Sequence, residues 1–248
     1  MSGWLKIAGL GPGDDALVTP QVRAAIDAAS DVVGYFPYIA RIADRPGLRR
    51  HGSDNRVELD RARTALALAA EGARVVVASS GDPGVFAMAS AVFEALEDGP
   101  EAWREVDIEV LPGITAMLAA SARAGAPLGH DFCAINLSDN LKPWALIEKR
   151  LRAAIEADFA IALYNPRSAS RPEGFARLLG ILRETCEPER LILFARAVTT
   201  PEESLTITTL AEALPEMADM RTMVIIGSSL TRRVAARRPL IYTPRSAP

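Results

Sequence analysis

Three glycines follow the first apolar run of the chain, in the stretch GLGPGD at residues 9–14. Glycine lets a backbone turn tightly and approach a ligand closely, so such a turn is a candidate nucleotide site. A dinucleotide fingerprint has the spacing G-x-G-x-x-G and an acid at the end of the next strand. Here the spacing is G-x-G-x-G, Asp14 replaces the third glycine, and the next strand ends in Tyr35. Pro12 also lacks the N–H that a phosphate would bind. An NAD-dependent oxidoreductase is therefore disfavoured, and the alternative is a tight strand-to-helix turn with Asp14 or Asp15 near a helix start.

Three further loops with a similar composition follow apolar runs. They read SSGDPGVF at residues 79–86, LPGITA at 111–116 and ALYNPRS at 162–168. In α/β proteins ligands bind at the carboxyl ends of strands. Such loops offer many backbone donors and acceptors and few charges, which suits a zwitterion with an adenine and a sulfonium. They suit a triphosphate poorly, and the chain has no Walker lysine motif.

The segments that hold these loops alternate between strand-like and helix-like patterns. WLKIAGL, DVVGY, ARVVVASS and DIEVLPG predict strands, with helical patterns between them. Thr19 and Pro20 are the N-cap and first residue of one predicted helix. This alternation predicts a parallel sheet covered by helices.

The alternation of strand and helix patterns is interrupted at GAPLG, residues 125–129. After it, FCAINLS and DFAIALYNP predict strands, RLILFARAV and ESLTITTL predict a hairpin, and LAEALPE predicts a short helix. We therefore expect an α/β fold with two domains. Residues 1–123 form a mainly parallel sheet and residues 126–248 a mixed sheet, and the ligand site is expected in the cleft between them.

Composition excludes several classes of function. The 248 residues carry a net charge of −3, without the basic stripe of a nucleic-acid binder. No apolar run reaches the ~18 residues of a membrane span, and the N-terminal segment lacks the layout of a signal peptide. Cys133, Cys186, His51 and His130 are too few and too scattered to predict a metal site. We expect a cytoplasmic protein.

The four loop motifs together are similar to those of the tetrapyrrole methylases, the S-adenosylmethionine-dependent enzymes of cobalamin and sirohaem synthesis. Within this family, GYFPYI, HDFCAINLSDNLKPWALIEKRL and ADFAIALYNPRS resemble the branch that methylates carbon 17 of precorrin-3B and contracts the ring to give precorrin-4. The resemblance implies two α/β domains with the cofactor between them, and a homodimer. Three alternatives stay open: the anaerobic-route enzyme acting on cobalt-factor III, a methylase of another precorrin carbon, and a non-catalytic sensor of an adenosyl ligand.

The resemblance also implies which residues bind the ligands. The tetrapyrrole is expected over the glycine turn, at Gly11, Gly13 and Asp14. Uroporphyrinogen methylases carry an acid where this chain has Tyr35, which indicates a different substrate. The residues expected to contact S-adenosylmethionine are Pro12, Ser80, Gly81, Asp82, Val85, Thr115, Ala116, Tyr164, Asn165 and Ala197.

Ring contraction requires a group that takes a proton from a substrate hydroxyl. Our hypothesis assigns this role to Tyr35 or to His130, with Asp131 orienting His130. Guanidinium groups bind carboxylates best, so Arg167 and Arg196 are the candidates for the substrate's carboxylates.

Five other residues lie in or beside the predicted loops. Lys142 and Arg45 are weaker candidates for carboxylate binding. Arg49 and Arg50 are interpreted as a loop, either a lid over the macrocycle or an ordinary basic loop. Trp144 is interpreted as a core residue.

Overall fold

The computed structural model describes residues 3–54 and 57–246. The chain forms two compact units, the first ending at Thr115 and the second beginning at Ala116. The boundary expected from the sequence, between 123 and 126, remains a prediction. None of the helices in the described ranges is long and apolar enough to cross a membrane.

The first unit is built on a five-stranded sheet in which every strand pair is parallel. Its strands are β1 (Trp4–Gly9), β2 (Asp31–Tyr35), β3 (Arg49–Ser53), β4 (Arg74–Ser79) and β5 (Asp107–Leu111), in the order β3-β2-β4-β1-β5. Its helices are α1 (Pro20–Ala28), α2 (Phe36–Ile39), α3 (Glu58–Ala70) and α4 (Met88–Glu97). The predicted parallel sheet is confirmed. Because parallel strands share one direction, the loops after β1, β2, β4 and β5 lie at one edge of this sheet.

Helices cover both faces of this sheet, which explains the continuous apolar runs of its strands. Leu5, Ile7 and Val77 pack on the face that α3 and α4 cover. Val32 and Val76 pack on the face that α1 covers. The predicted start of α1 is confirmed, since the Thr19 hydroxyl accepts a hydrogen bond from the backbone N–H of Val22 at 3.3 Å.

The segment interpreted as a basic loop is the edge strand β3, so the loop and lid interpretation was wrong. Asp31, at the start of β2, is fully buried and accepts two bonds of 2.8 Å from Arg49 and one of 2.8 Å from the His51 ring. The Ser30 hydroxyl donates another. Burial acts to raise the pKa of Asp31, but these bonds outweigh it and hold the pKa below its usual value. Polar contacts thus hold a strand that has no apolar alternation.

The second unit contains a mixed five-stranded sheet and a small three-stranded one. Its helices are α5 (Ala116–Ala124), α6 (Trp144–Glu156) and α7 (Glu173–Thr185). Its strands are β6 (Gly125–Ala126), β7 (Phe132–Asn136), β8 (Ala160–Tyr164), β9 (Leu191–Arg196), β10 (Ser204–Thr209), β11 (Thr222–Ile226), β12 (Arg232–Val234) and β13 (Leu240–Tyr242). The large sheet has the order β10-β9-β11-β8-β7, and the small one β12-β13-β6. Only β7 and β8 are parallel neighbours in the large sheet, so the predicted mixed sheet and its β9–β10 hairpin are confirmed.

The core of this unit lies between the large sheet and helices α6 and α7. Phe175 and Phe194 meet edge to face with ring centroids 5.8 Å apart. Trp144 packs against this core, as predicted, and Arg177 lies over its ring at 5.6 Å. The helix predicted for LAEALPE is wrong over most of its length, because a 3-10 helix forms only at Pro215–Met217.

Candidate functional site

Three glycine-containing loops of the first unit meet backbone to backbone at the carboxyl ends of β1, β4 and β5. Gly11 and Gly81 exchange hydrogen bonds of 3.2 and 2.9 Å. A Cβ added to Gly9 would lie 2.7 Å from both the N of Gly113 and the carbonyl O of Gly81. A Cβ on Gly113 would lie 2.2 Å from the carbonyl O of Gly81. These glycines are therefore required by the close approach of three loops. We call Gly9, Gly11, Gly81 and Gly113 the glycine junction.

Two aspartates at this edge are engaged with backbone groups. The Asp82 carboxylate accepts hydrogen bonds from the N–H of Gly84 at 2.8 Å and of Gly113 at 3.1 Å, which links two of the loops. The Asp14 carboxylate accepts a bond from the N–H of Ala16 at 2.8 Å and caps the 3-10 helix Asp15–Leu17. The glycine turn thus leads into a helix start, which is the arrangement considered above as the alternative to a dinucleotide site.

Arg41 fixes the glycine turn and was missed by the sequence analysis. Its Nη2 donates to the carbonyl O of Leu10 at 2.6 Å and its Nη1 to that of Gly11 at 3.2 Å. Asp15 lies 3.6 Å away. Nothing in the local sequence links Arg41, which follows α2, to a turn 30 residues earlier. Only the parallel order of the sheet brings the two segments together.

A cluster of polar side chains lies where β2, β3 and β4 end. The rings of Tyr35 and Tyr38 meet edge to face with centroids 5.3 Å apart, and a side-chain hydrogen bond joins Tyr38 to Ser80. Burial raises the pKa of Tyr38. Arg61 is 5 % exposed and donates to the Ser53 hydroxyl at 2.9 Å. Tyr35 and Ser80, predicted for catalysis and cofactor binding, are thus brought to one edge.

The predicted cofactor residues of the second unit lie at the carboxyl ends of β8 and β9 and at the start of α5. The N–H of Met117, next to Ala116, donates to the Tyr164 hydroxyl at 3.4 Å. Asn165 and Ala197 have φ values of 51° and 48°, in the left-handed region that non-glycine residues rarely adopt. Thr199 follows with 66°. Such strain concentrates at functional sites and costs roughly 1–3 kcal/mol for each residue.

The basic residues predicted to bind carboxylates differ in whether they already form hydrogen bonds or ion pairs with other residues of the protein. The Nε of Arg167 is buried and makes no hydrogen bond within the described part of the chain. Arg196 donates to Asp219 at 2.8 Å and is paired. Arg45 donates to the carbonyl O of Ile26 at 3.0 Å and thereby caps α1. Burial lowers the pKa of Lys142, and Arg150 adds to this effect.

His130 lies apart from the other predicted residues of its unit. It precedes β7, whereas Tyr164, Asn165 and Ala197 follow β8 and β9, which run in the same direction as β7. Five strand residues span roughly 16 Å, so the two groups are at opposite edges of the sheet. The His130 Nδ1 is 3.8 Å from the Asp131 carboxylate, which is too far for a hydrogen bond, and the orienting role of Asp131 remains a prediction.

The donors and acceptors among the predicted cofactor residues fit S-adenosylmethionine. Ser80, Thr115, Tyr164 and Asn165 are neutral and polar, and the charge of Asp82 is taken up by backbone N–H groups. The described residues contain no group of three or more metal-ligating side chains. Neutral polar groups and exposed backbone suit a zwitterion and an adenosine and would not compensate a triphosphate.

A family model described as Tetrapyrrole (Corrin/Porphyrin) Methylases matches residues 5–214. The chain belongs to this family. The match confirms the resemblance drawn from the four loop motifs, and the matched range includes all residues of the glycine junction.

Curated relatives resemble the chain over almost its full length. The Precorrin-3B C(17)-methyltransferase of Sinorhizobium sp is 51% identical over 99% of this chain and 97% of that protein. The Probable cobalt-factor III C(17)-methyltransferase of Salmonella typhimurium is 37% identical over 97% and 98%. The Cobalamin biosynthesis protein CobIJ of Mycobacterium bovis is 43% identical over 100% of this chain, which spans 49% of that protein.

Solved structures share the fold. The crystal structure of the methyltransferase CobJ superposes with a TM-score of 0.95 at 67% identity, over 98% of this chain and 100% of that chain. The Uroporphyrin-III C-methyl transferase from Thermus thermophilus, solved with S-adenyl homocysteine, gives 0.69 at 24% identity over 91% and 97%. The predicted two-part α/β fold of a tetrapyrrole methylase is therefore confirmed.

Proposed function

We propose that this chain is the S-adenosylmethionine-dependent enzyme that methylates precorrin-3B at carbon 17 and contracts the ring to precorrin-4, in cobalamin biosynthesis. The observation that carries the proposal is the 51% identity, over nearly the whole of both chains, with a precorrin-3B C(17)-methyltransferase. The second candidate is the same reaction on cobalt-factor III, which the 37% identical Salmonella relative favours. The higher identity supports precorrin-3B.

In the first unit, the proposed contacts to the methyl donor are Pro12, Ser80, Gly81, Asp82, Val85 and Thr115. The glycine junction supports this assignment because its residues have no side chains, so the backbone of these loops can approach a ligand closely. The macrocycle is proposed to lie over the turn that contains Gly11, Gly13 and Asp14. Arg41 holds this turn by two carbonyl groups, so the turn keeps its shape when a ligand binds.

In the second unit, the proposed contacts to the methyl donor are Ala116, Tyr164, Asn165 and Ala197. The strained backbone at Asn165 and Ala197 supports the assignment, because strain is retained where a site requires it. Arg167, with its unpaired Nε, is the better candidate for a substrate carboxylate. Arg196 would have to exchange Asp219 for the substrate.

S-adenosylmethionine, when bound, supplies a methyl group on a sulfonium. The chain's task is to align donor and acceptor carbon, since alignment alone can accelerate such a displacement greatly. Contraction requires the substrate hydroxyl to be oriented and to lose its proton, and we assign the orienting hydrogen bond to Tyr35 Oη, which accepts it from that hydroxyl. Tyr35 lies at the edge that carries the glycine turn, whereas His130 lies at the far edge of its own unit. We further propose a cytoplasmic homodimer, on the resemblance to the family.

Binding of the two competing cofactor classes tests the proposal first. Titration calorimetry should show binding of S-adenosylhomocysteine and none of NAD. The protein should then add one methyl group to precorrin-3B under anaerobic conditions, with cobalt-factor III as the parallel substrate. Binding of NAD alone would refute the assignment, and turnover of cobalt-factor III alone would move it to the second candidate. Binding without turnover of any precorrin would leave a sensor of an adenosyl ligand.

A further inference from the structure

Arg61 is a buried cation that forms no ion pair among the described residues. Its side chain is 5 % exposed, yet none of the ion pairs among residues 3–54 and 57–246 includes it. Its Nε donates to the Ser53 hydroxyl at 2.9 Å and its Nη2 to the Asp54 carbonyl O at 2.8 Å. Both acceptors are neutral. A buried charge that lacks a close counter-charge destabilises a fold, so we expect Arg61 to have a role that offsets this effect.

The third donor of Arg61 has a weak acceptor. Nη1 donates to the Met88 Sδ at 3.3 Å, and a thioether accepts hydrogen bonds poorly. Met88 begins α4, directly after the loop that carries Ser80 and Asp82. Methionine is unbranched and changes rotamer readily, so a stronger acceptor can take the place of the sulfur.

Two phenols lie within the electrostatic reach of Arg61. The largest attraction on Arg61 comes from Glu58, which lies three residues earlier on α3, is exposed and forms no ion pair with it among the described residues; Tyr38 and Tyr35 follow. Burial raises the pKa of Tyr38, Tyr35 adds to this rise, and Arg61 and Arg41 oppose it. Tyr38 is therefore neutral at pH 7 and does not compensate the guanidinium. Burial also lowers the pKa of Arg61, but a guanidinium stays protonated in proteins.

We propose that Arg61 is the counter-charge for an anionic group of the ligand. In this arrangement a peripheral carboxylate of the tetrapyrrole replaces the Met88 sulfur at Nη1 and lies against the Tyr35–Tyr38 pair. A guanidinium–carboxylate contact is stronger than the thioether contact that it replaces, and it removes the uncompensated charge. The identity of the ligand rests on the proposed function, whereas the anionic character of the missing partner rests on Arg61 alone.

The test separates a ligand-binding arginine from a structural one. Three quantities are measured for the wild type, Arg61→Met and Arg63→Met: the Tm without ligand, the affinity for uroporphyrin III as a stable polycarboxylate probe, and the affinity for S-adenosylhomocysteine. Arg63 lies two residues along α3, is exposed and pairs with Asp60, so it is the matched control. We expect Arg61→Met to keep or raise the Tm and the S-adenosylhomocysteine affinity, and to lose at least tenfold in porphyrin affinity.

Wild-type porphyrin affinity in Arg61→Met would overturn the inference. So would a wild type that binds S-adenosylhomocysteine but not the porphyrin. If the wild type binds neither S-adenosylhomocysteine nor the porphyrin, both this inference and the proposed function are refuted. If Arg61→Met does not fold, Met88→Leu tests the inference instead, because it removes the competing Met88 sulfur and leaves the charge of Arg61 in place. Equal or tighter porphyrin binding by Met88→Leu supports the inference, and weaker binding contradicts it.

Discussion

Adding one methyl group at Gly113 should separate the loops of the glycine junction. The new Cβ would lie 2.2 Å from the carbonyl O of Gly81 and 2.7 Å from that of Gly9. A carbon and a carbonyl oxygen approach to about 3.3 Å at the closest, so the loops must open by roughly 1 Å. All the atoms that clash are backbone atoms, which cannot rotate away as a side chain would. Gly113→Ala therefore moves the loop after β5 away from the loops after β1 and β4.

Two measurements follow this displacement. Overpacking of this kind costs about 1–3 kcal/mol, and in a chain of this size each kcal/mol lowers the Tm by roughly 2–4 °C. A misplacement of about 1 Å in a binding site can cost on the order of 100-fold, so S-adenosylhomocysteine affinity should fall at least tenfold in calorimetry. Differential scanning calorimetry on the same preparation gives the Tm.

Gly180→Ala is the matched control for this substitution. Gly180 lies within α7, and a Cβ there meets no atom within 4 Å. Alanine is favoured over glycine in a helix, so this variant should gain about 0.5–1 kcal/mol and bind S-adenosylhomocysteine as the wild type does. If Gly113→Ala kept both the Tm and the affinity of the wild type, the junction would not be as tight as the structure shows.

Three further variants test other contacts. Asp31→Asn should lose roughly 1.5–3 kcal/mol at pH 7, because the amide weakens the charge-assisted hydrogen bonds that the buried carboxylate accepts from Arg49 and His51. The pKa of Asp31 is lower in the folded state than in the unfolded chain, where it is about 3.9. This stabilisation is therefore complete above pH ~3.9 and is lost as the pH falls through the folded pKa, so the Tm difference between the variant and the wild type should shrink in acid. A Tm difference that does not depend on pH would contradict this account. Arg41→Met should weaken S-adenosylhomocysteine binding about tenfold by freeing the glycine turn, whereas Arg63→Met, a control that is exposed on α3 and pairs with Asp60, should not; equal affinities in calorimetry would exclude the role given to Arg41. Ala197→Gly should relieve the positive φ and raise the unfolding free energy by about 1 kcal/mol in urea denaturation, and a loss of stability would show that the backbone there is unstrained.

Features carried by local sequence patterns could be predicted. The run ARVVVASS predicted β4, and four of its residues, 75–78, are fully buried. The glycine spacing disfavoured a dinucleotide-binding site, and the structure adds the reason for the glycines, since three loop backbones meet there. The family was predicted from four motifs because their order along the chain is specific.

Features that depend on distant contacts could not be predicted. RRHGS has no apolar alternation, so β3 was not found; Asp31 holds it from 18 residues earlier in sequence. Arg61 and Arg41 donate hydrogen bonds to other segments of the chain, and no local sequence pattern distinguishes them from surface arginines. The place of His130 in the sheet follows from the sequence, because a residue that precedes a strand lies at the edge opposite to the loops that follow parallel strands.

The polar edge strand β3 also affects how this protein behaves at high concentration. An exposed sheet edge offers unpaired backbone groups to other chains, which is a common route to aggregation. Here the edge carries Arg49, whose side chain is 65% exposed, and Arg50, so an incoming strand would have to desolvate two positive charges. Arg49, which holds β3 in the sheet through its hydrogen bonds to Asp31, thus also opposes the pairing of another strand with this edge. Attempts to improve expression by replacing surface arginines should leave this pair in place.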